Sequence, residues 1–293
     1  MNGFQSRPWI FFFLCLLSLL SACLPNKKLT VGATAMLLEE VAKASSRHSD
    51  LRILREGTPA YLMLIDGMIQ AVPDNDRLLL AGAQSYSSFA SLFMGDQDKE
   101  YANLLYEKGK EYALRSLEAR GFRDPPQRPF DDFKEGLKRL TKRDVPYIFW
   151  TATCWANWIR LNLDSVEAVS ELPRVEWMMR RALELDEGFY YGGPHLFMGI
   201  WFASRPKVAG GDLNKAQEHF LRALGLGRGK FLMASVYYAK YYARNKMDKE
   251  LFVTTLQRVL EAPLDTAPEL VLPNTVAKKE AKELLDRVGE YFE

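Results

Sequence analysis

Lys215-Ala216-Gln217-Glu218-His219-Phe220-Leu221-Arg222-Ala223 places Ala216, Phe220 and Ala223 at i, i+4 and i+7. One aromatic between two small residues on a single helical face lets a neighbouring backbone come close while the ring fills the space between. Leu213 and Leu224 widen that face, and Gly210-Gly211-Asp212 just upstream provides a tight loop and an N-cap. The helical period recurs outward in both directions. Tyr61, Leu62, Ile65, Met68, Ile69 and Val72 make one stripe; Val175, Met178, Met179, Ala182 and Leu183 make another. Phe252, Thr255, Leu256, Val259 and Leu260, then Ala281, Leu284, Leu285, Val288 and Phe292, close the series. Pro73, Gly95-Asp96, Gly121 and the run Asp124-Pro-Pro-Gln-Arg-Pro129 punctuate it. Helices are expected over Leu78–Met94 and Phe130–Leu140, with Pro146 opening another; Val271-Leu272 is too short to count as a strand. No segment alternates with period two, so the chain is expected to be all-α, about ten to twelve helices in antiparallel pairs.

The small–aromatic–small frame belongs to the second helix of a tetratricopeptide repeat. Val175, Met179 and Ala182 fit it loosely, and Ala102, Tyr106 and Gly109 give an earlier copy. Gly82 and Gly199 take the small position of a first helix. Gaps between paired helices exceed the consensus by roughly five to eight residues, so the hairpins are degenerate. Stacked hairpins of this kind form an α-α superhelix with a concave face.

The N-terminus sets location. Arg7 precedes an apolar run from Trp9 to Leu20, and Leu20-Ser21-Ala22 leads into Cys23. A short basic region, an apolar stretch too short to span and a small-residue exit describe a secretory signal. The cysteine at the exit makes it the bacterial lipoprotein form, with cleavage before Cys23 and lipid on its thiol. The expected organisation is signal peptide 1–22, lipidated Cys23 and tether 23–35, and one helical-repeat domain 36–293. Such a protein is lipid-anchored in the bacterial cell envelope. Leu24, where Asp favours inner-membrane retention in some bacteria, leaves the choice of membrane open.

Chemistry is sparse. With 39 basic and 37 acidic residues the chain is near neutral, which does not fit a nucleic-acid partner. Once Cys15 leaves and Cys23 is acylated, only Cys154 remains, expected as a buried inert thiol. His48, His195 and His219 stand in no metal-ligand spacing, and no Gly-x-Ser-x-Gly elbow, phosphate loop or dinucleotide fingerprint occurs. No Glu-Ser pair of the lytic-transglycosylase kind is present, and Asp131-Asp132 suits a helix N-terminus better than a catalytic pair. The expectation is a non-enzyme with no catalytic residue, cofactor or metal. What remains is aromatic: five tryptophans between Trp150 and Trp201, with Tyr190-Tyr191 and Tyr237-Tyr238. Most aromatics of a helical repeat fill its core. Those on the concave face are candidates for ligand or partner binding: Trp155, Trp158, Tyr191 and Trp201, with Asn157, His195 and Arg205 as polar groups. Arg205 has two open roles, a fork for a carboxylate or a cap on carbonyls of the Ser204–Gly211 loop.

Several stretches together resemble one family. Pro194-His-Leu-Phe-Met-Gly199, Ala203-Ser-Arg-Pro206, Gly210-Gly-Asp212, Lys215-Ala-Gln-Glu-His-Phe220, Gly229-Lys-Phe-Leu-Met-Ala234, Tyr241-Tyr-Ala-Arg244 and Trp155-Ala-Asn-Trp-Ile159 are similar to the T component of tetratricopeptide-associated TRAP transporters. The resemblance is densest from 150 to 260. It implies a periplasm-facing lipoprotein, a homotrimer, and pairing with the periplasmic solute-binding P component. It also implies a small organic acid or a more hydrophobic ligand as cargo. The residues alone leave a second reading open, a tetratricopeptide scaffold for envelope assembly.

Overall fold

The computed structural model describes residues 36, 38, 40–91, 98–264 and 267–292, so the signal segment, Cys23 and the tether lie outside the described residues. Thirteen α-helices and no strand occur among the described residues. They are α1 (Leu51–Ala71), α2 (Asp76–Phe89), α3 (Lys99–Ala119), α4 (Phe130–Lys138), α5 (Val145–Leu161), α6 (Val166–Ser170) and α7 (Leu172–Leu185). There follow α8 (Phe189–Ala203), α9 (Leu213–Gly227), α10 (Met233–Tyr237), α11 (Lys249–Glu261), α12 (Val271–Asp286) and α13 (Val288–Phe292). Helix α10 continues as a π-helical stretch, Tyr238–Ala243. Three of these helices, α6, α10 and α13, have only five residues, and such short pieces account for the surplus over the expected count. The expected strandless pair Val271-Leu272 opens α12. Helix α2 ends at Phe89, earlier than the apolar pattern implied, and 92–97 lie outside the described residues.

Helix starts follow sequence chemistry. Asp50, Asn75, Asp98, Ser165, Asp212 and Asp248 each accept a backbone N–H of the first turn. Caps of this type contribute about 1 kcal/mol each. Carbonyls at the end of α4 are taken up by one side chain, Arg181, which donates to Leu137, Lys138 and Leu140.

Helices pair as hairpins: α2 with α3, α5 with α7, α8 with α9, and the α10–π segment with α11, which α12 then covers. Helix α5 also packs along α3, so consecutive hairpins stack. The three repeat frames are buried. Ala216, Phe220 and Ala223 have no exposed area, nor have Val175, Met179 and Ala182; Ala102 and Tyr106 follow suit. A Cβ on Gly199 would sit 3.0 Å from the Phe220 ring, so α8 and α9 approach as closely as a first-helix glycine permits. The N-terminal copy departs from the frame. Gly82 faces Tyr112, not Tyr106. The reason is polar: Asp66 accepts from the hydroxyls of both Tyr112 and Tyr86, at 2.9 and 2.7 Å, while Tyr106 pairs with Ser91.

The Arg205–Asp212 turn joins α8 to α9. Gly210 is left-handed at φ +86, and a Cβ on Gly211 would lie 1.8 Å from the Arg205 carbonyl oxygen. Asp212 donates its backbone N–H to Phe202 and caps α9 with its side chain. Replacing Gly211 by Val therefore forces the whole turn to rebuild. We expect a loss of about 3 kcal/mol in chemical denaturation, the size of a severe backbone clash. A loss within ~0.5 kcal/mol, the range of an ordinary surface substitution, would show that the turn does not hold the hairpin.

Candidate functional site

Helix α8 divides its side chains between two environments. His195, Gly199 and Phe202 face α9: the His195 and His219 rings meet, Gly199 abuts Phe220, and Phe202 stacks on His219. Phe197, Trp201 and Arg205 follow at four-residue steps and occupy the opposite side. Phe197 stacks on Trp201 with ring centres 6.0 Å apart, and the Arg205 guanidinium lies 4.1 Å from the Trp201 ring centre. Arg205 is thus a stacked cation, not a cap on its own loop, and its second sequence reading falls away. The indole Nε1 of Trp201 is buried and has no hydrogen-bond partner.

The entry to α8 is conformationally unusual. Tyr190, Tyr191 and Gly192 are successive left-handed residues, with φ of 47, 59 and 81. Glycine takes this conformation without penalty; two tyrosines do not, and such outliers concentrate at functional sites. The turn swings Tyr190 into a ring of aromatic side chains, Phe149, Trp150, Phe189 and Phe231, with centre-to-centre distances of 5.3 to 6.4 Å. Tyr190 nevertheless keeps 38% of its surface exposed. Tyr191 stacks on Phe231, and its hydroxyl donates to Glu269 ahead of α12.

Elements distant in sequence converge on Tyr237, where α10 passes into its π-helical stretch. Burial pushes the Tyr237 phenol well above its ordinary range, and Glu280, Tyr241 and Tyr106 act in the same direction while Arg160 opposes them. These groups come from α12, the π stretch, α3 and α5. Tyr241 packs edge-on against Tyr237, and Lys240 pairs with Glu280 at 2.7 Å. At the other side Lys110 of α3 sits 3.1 Å above the Trp158 ring. Its ammonium is held below the usual lysine range by burial, against the pull of Glu171 and Glu107. A lining of half-buried rings with a few fixed charges is the composition of a small-molecule site.

The sequence candidates thus separate. Tyr191, Trp158, Trp201 and Arg205 stand among exposed or half-buried aromatic groups. Trp155 does not: it is wholly buried and its indole N–H donates to Glu171 at 2.6 Å, which makes it core. Asn157 donates to Ser87 and ties α5 to α2. His195 is turned toward α9. Lys110, Tyr190, Tyr237 and Tyr241 were not among the candidates; the three tyrosines had a sequence signal as members of tyrosine pairs, and Lys110 had none. Cys154 is buried with its thiol pushed up to about 12 by desolvation, the inert thiol expected. A separate cleft of about 530 Å³ lies between the 124–129 loop and α4, lined by Asp124, Arg128, Asp132, Glu135 and Arg139. Its charges are mixed in sign and no aromatic ring lines it.

The histidine pair forms a chain of its own. His195 Nε2 lies 3.1 Å from Glu187, and its Nδ1 lies 2.9 Å from Nδ1 of His219. Glu187 only accepts, so neutral His195 carries its proton on Nε2 and accepts at Nδ1 from His219. Hydrogen bonds from Arg222 and His195 draw Glu187 down to about 2. Burial, with help from His195 and Arg180, pushes His219 from 6.5 down to about 4. The unfolded chain therefore takes up a proton at His219 before the folded chain does. Stability from this group is complete above pH 6.5 and falls as pH drops toward 4. Between pH 6.5 and about 5 the melting temperature of the natural protein should fall more steeply than that of His219→Asn. Parallel curves would mean that His219 titrates normally.

No helix among the described residues is long and apolar enough to cross a membrane. No curated protein matches the chain. A family model described as TRAP transporter T-component matches residues 47–292.

Proposed function

Because the chain belongs to the TRAP transporter T-component family, an accessory component of a solute transporter, we propose that it works as a lipid-anchored subunit facing the periplasm. In this reading it docks the periplasmic substrate-binding protein and holds a small organic acid or hydrophobic ligand on its inner aromatic face. Cys23 carries the lipid, residues 24–35 set the reach of the body, and copies associate as the trimer the family resemblance implies. The observation that supports ligand holding is the set of half-buried rings with fixed charges beside them: Lys110 stands 3.1 Å over the Trp158 ring, and Tyr237 packs on Tyr241 next to the Lys240–Glu280 pair. A scaffold that only bridged proteins would have no use for strained tyrosines and a desolvated lysine stacked on Trp158.

The partner claim is tested by affinity capture of the full-length protein from its own envelope after mild crosslinking. The substrate-binding subunit of a TRAP transporter is expected in the eluate. Its absence, with other envelope proteins captured in its place, would overturn the reading in favour of the scaffold. Replacing Cys23 by Ser should leave the helical circular-dichroism spectrum and melting temperature unchanged while the protein leaves the membrane fraction and solute uptake falls. Uptake at the natural level from the unlipidated form would contradict the anchoring role.

A further inference from the structure

Trp201 and Arg205 together present hydrogen-bond donors with nothing to receive them. The Trp201 side chain is more than nine-tenths buried, and its indole N–H has no acceptor. Buried donors are almost always paired, so an orphan in a folded core calls for an explanation. Arg205, one helical turn on, lies over the same indole with its guanidinium carbon 4.1 Å from the ring centre. Stacking occupies the face of the guanidinium and leaves its N–H edges available, and among the described residues no carboxylate or carbonyl accepts from them. The nearby carbonyls are already in use: Ala203 accepts from Asn245, Pro206 from Ala209 and Gly211, and Phe202 from Asp212. The turn cannot collapse to supply another, because Gly211 is packed directly against the Arg205 backbone. Phe197, which is apolar and half-buried, also stacks on Trp201.

We infer that Trp201 and Arg205 form the seat for the carboxylate of a small amphiphilic acid whose apolar tail runs along Phe197. The guanidinium fork supplies charge and two parallel donors, the geometry that suits a carboxylate. The indole N–H supplies a third donor from a water-poor position, and a neutral acceptor of the same size gains nothing from the charge. A bulky anion such as phosphate fits less well, since a single stacked arginine with no second cation beside it leaves most of its charge uncompensated. This inference rests on the reading that the aromatic face holds a ligand, and it adds the two residues that recognise the head group.

The test uses full-length protein in nanodiscs, labelled with fluorotryptophan, with the Trp201 resonance assigned by its loss in Trp201→Phe. Hexanoate is titrated against its neutral analogue hexanamide, with empty nanodiscs as the blank. Hexanoate should shift the Trp201 resonance saturably, and hexanamide should bind at least tenfold more weakly. In Arg205→Gln the hexanoate affinity should fall about tenfold with the melting temperature unchanged. Equal binding of the acid and the amide would overturn the carboxylate seat and leave an apolar pocket, so the broader reading would survive. A Trp201 resonance unmoved by hexanoate, but shifted by the substrate-binding subunit, would overturn it in favour of an acidic side chain on that partner. Should Arg205→Gln unfold, the comparison of acid with amide on the natural protein decides alone.

Discussion

Contact between Gly199 and the Phe220 ring is the constraint on which the central part of the molecule depends. With the two helices this close, α8 presents one narrow side to α9 and must place everything else away from it. Phe197, Trp201 and Arg205 gather on the side of α8 away from α9 as a result, and the short turn through Gly210 and Gly211 is the connection that such proximity allows. A glycine costs roughly 0.5–1 kcal/mol in a helix relative to alanine. Here the cost is offset by burial of Phe220, Ala216 and Ala223 with no residual exposure.

The second determinant is at the other end of the same helix. Three left-handed residues in a row cannot be the start of an ordinary helix, and Gly193-Pro194 restart it in a new direction. The strain is held in place by packing: Phe149 and Phe231 press on Tyr190, and Glu269 receives the Tyr191 hydroxyl. Helix α8 is thereby bracketed, strained and aromatic where it begins, stacked and cationic where it ends. The π-helical stretch after Tyr237 adds a further irregular turn on a neighbouring element, and such turns recur at functional sites.

Periodic features were legible in the amino-acid sequence. The stripes at three and four residues identified the helices, the small–aromatic–small frame identified the hairpins, and Asp212 and Pro146 marked helix starts where they occur. Pairings between distant elements were not. Nothing local links Lys110 to Trp158, Tyr237 to Glu280 or His195 to His219, because these meetings depend on how separate helices pack together. The role of Arg205 was ambiguous for a related reason. A loop arginine next to free carbonyls reads as a cap, and only the three-dimensional turn reveals that those carbonyls are already bonded. Trp155 illustrates the converse: its residue type and neighbourhood match a binding face, while an offset of about 60° around α5 from Trp158 is enough to send it into the core.

Family membership accounts for the transporter role, and the proposal that the protein holds a ligand rests on its half-buried aromatic groups and the fixed charges beside them. The most direct measurement is mass spectrometry of small molecules released by denaturing the full-length protein after gentle purification from its own envelope. The account predicts a discrete acid with an apolar portion in the natural protein, sharply depleted in a Trp158→Ala, Tyr237→Ala double variant that keeps its helical fold. Release of no specific molecule by the natural protein, or equal release by both proteins, would contradict it.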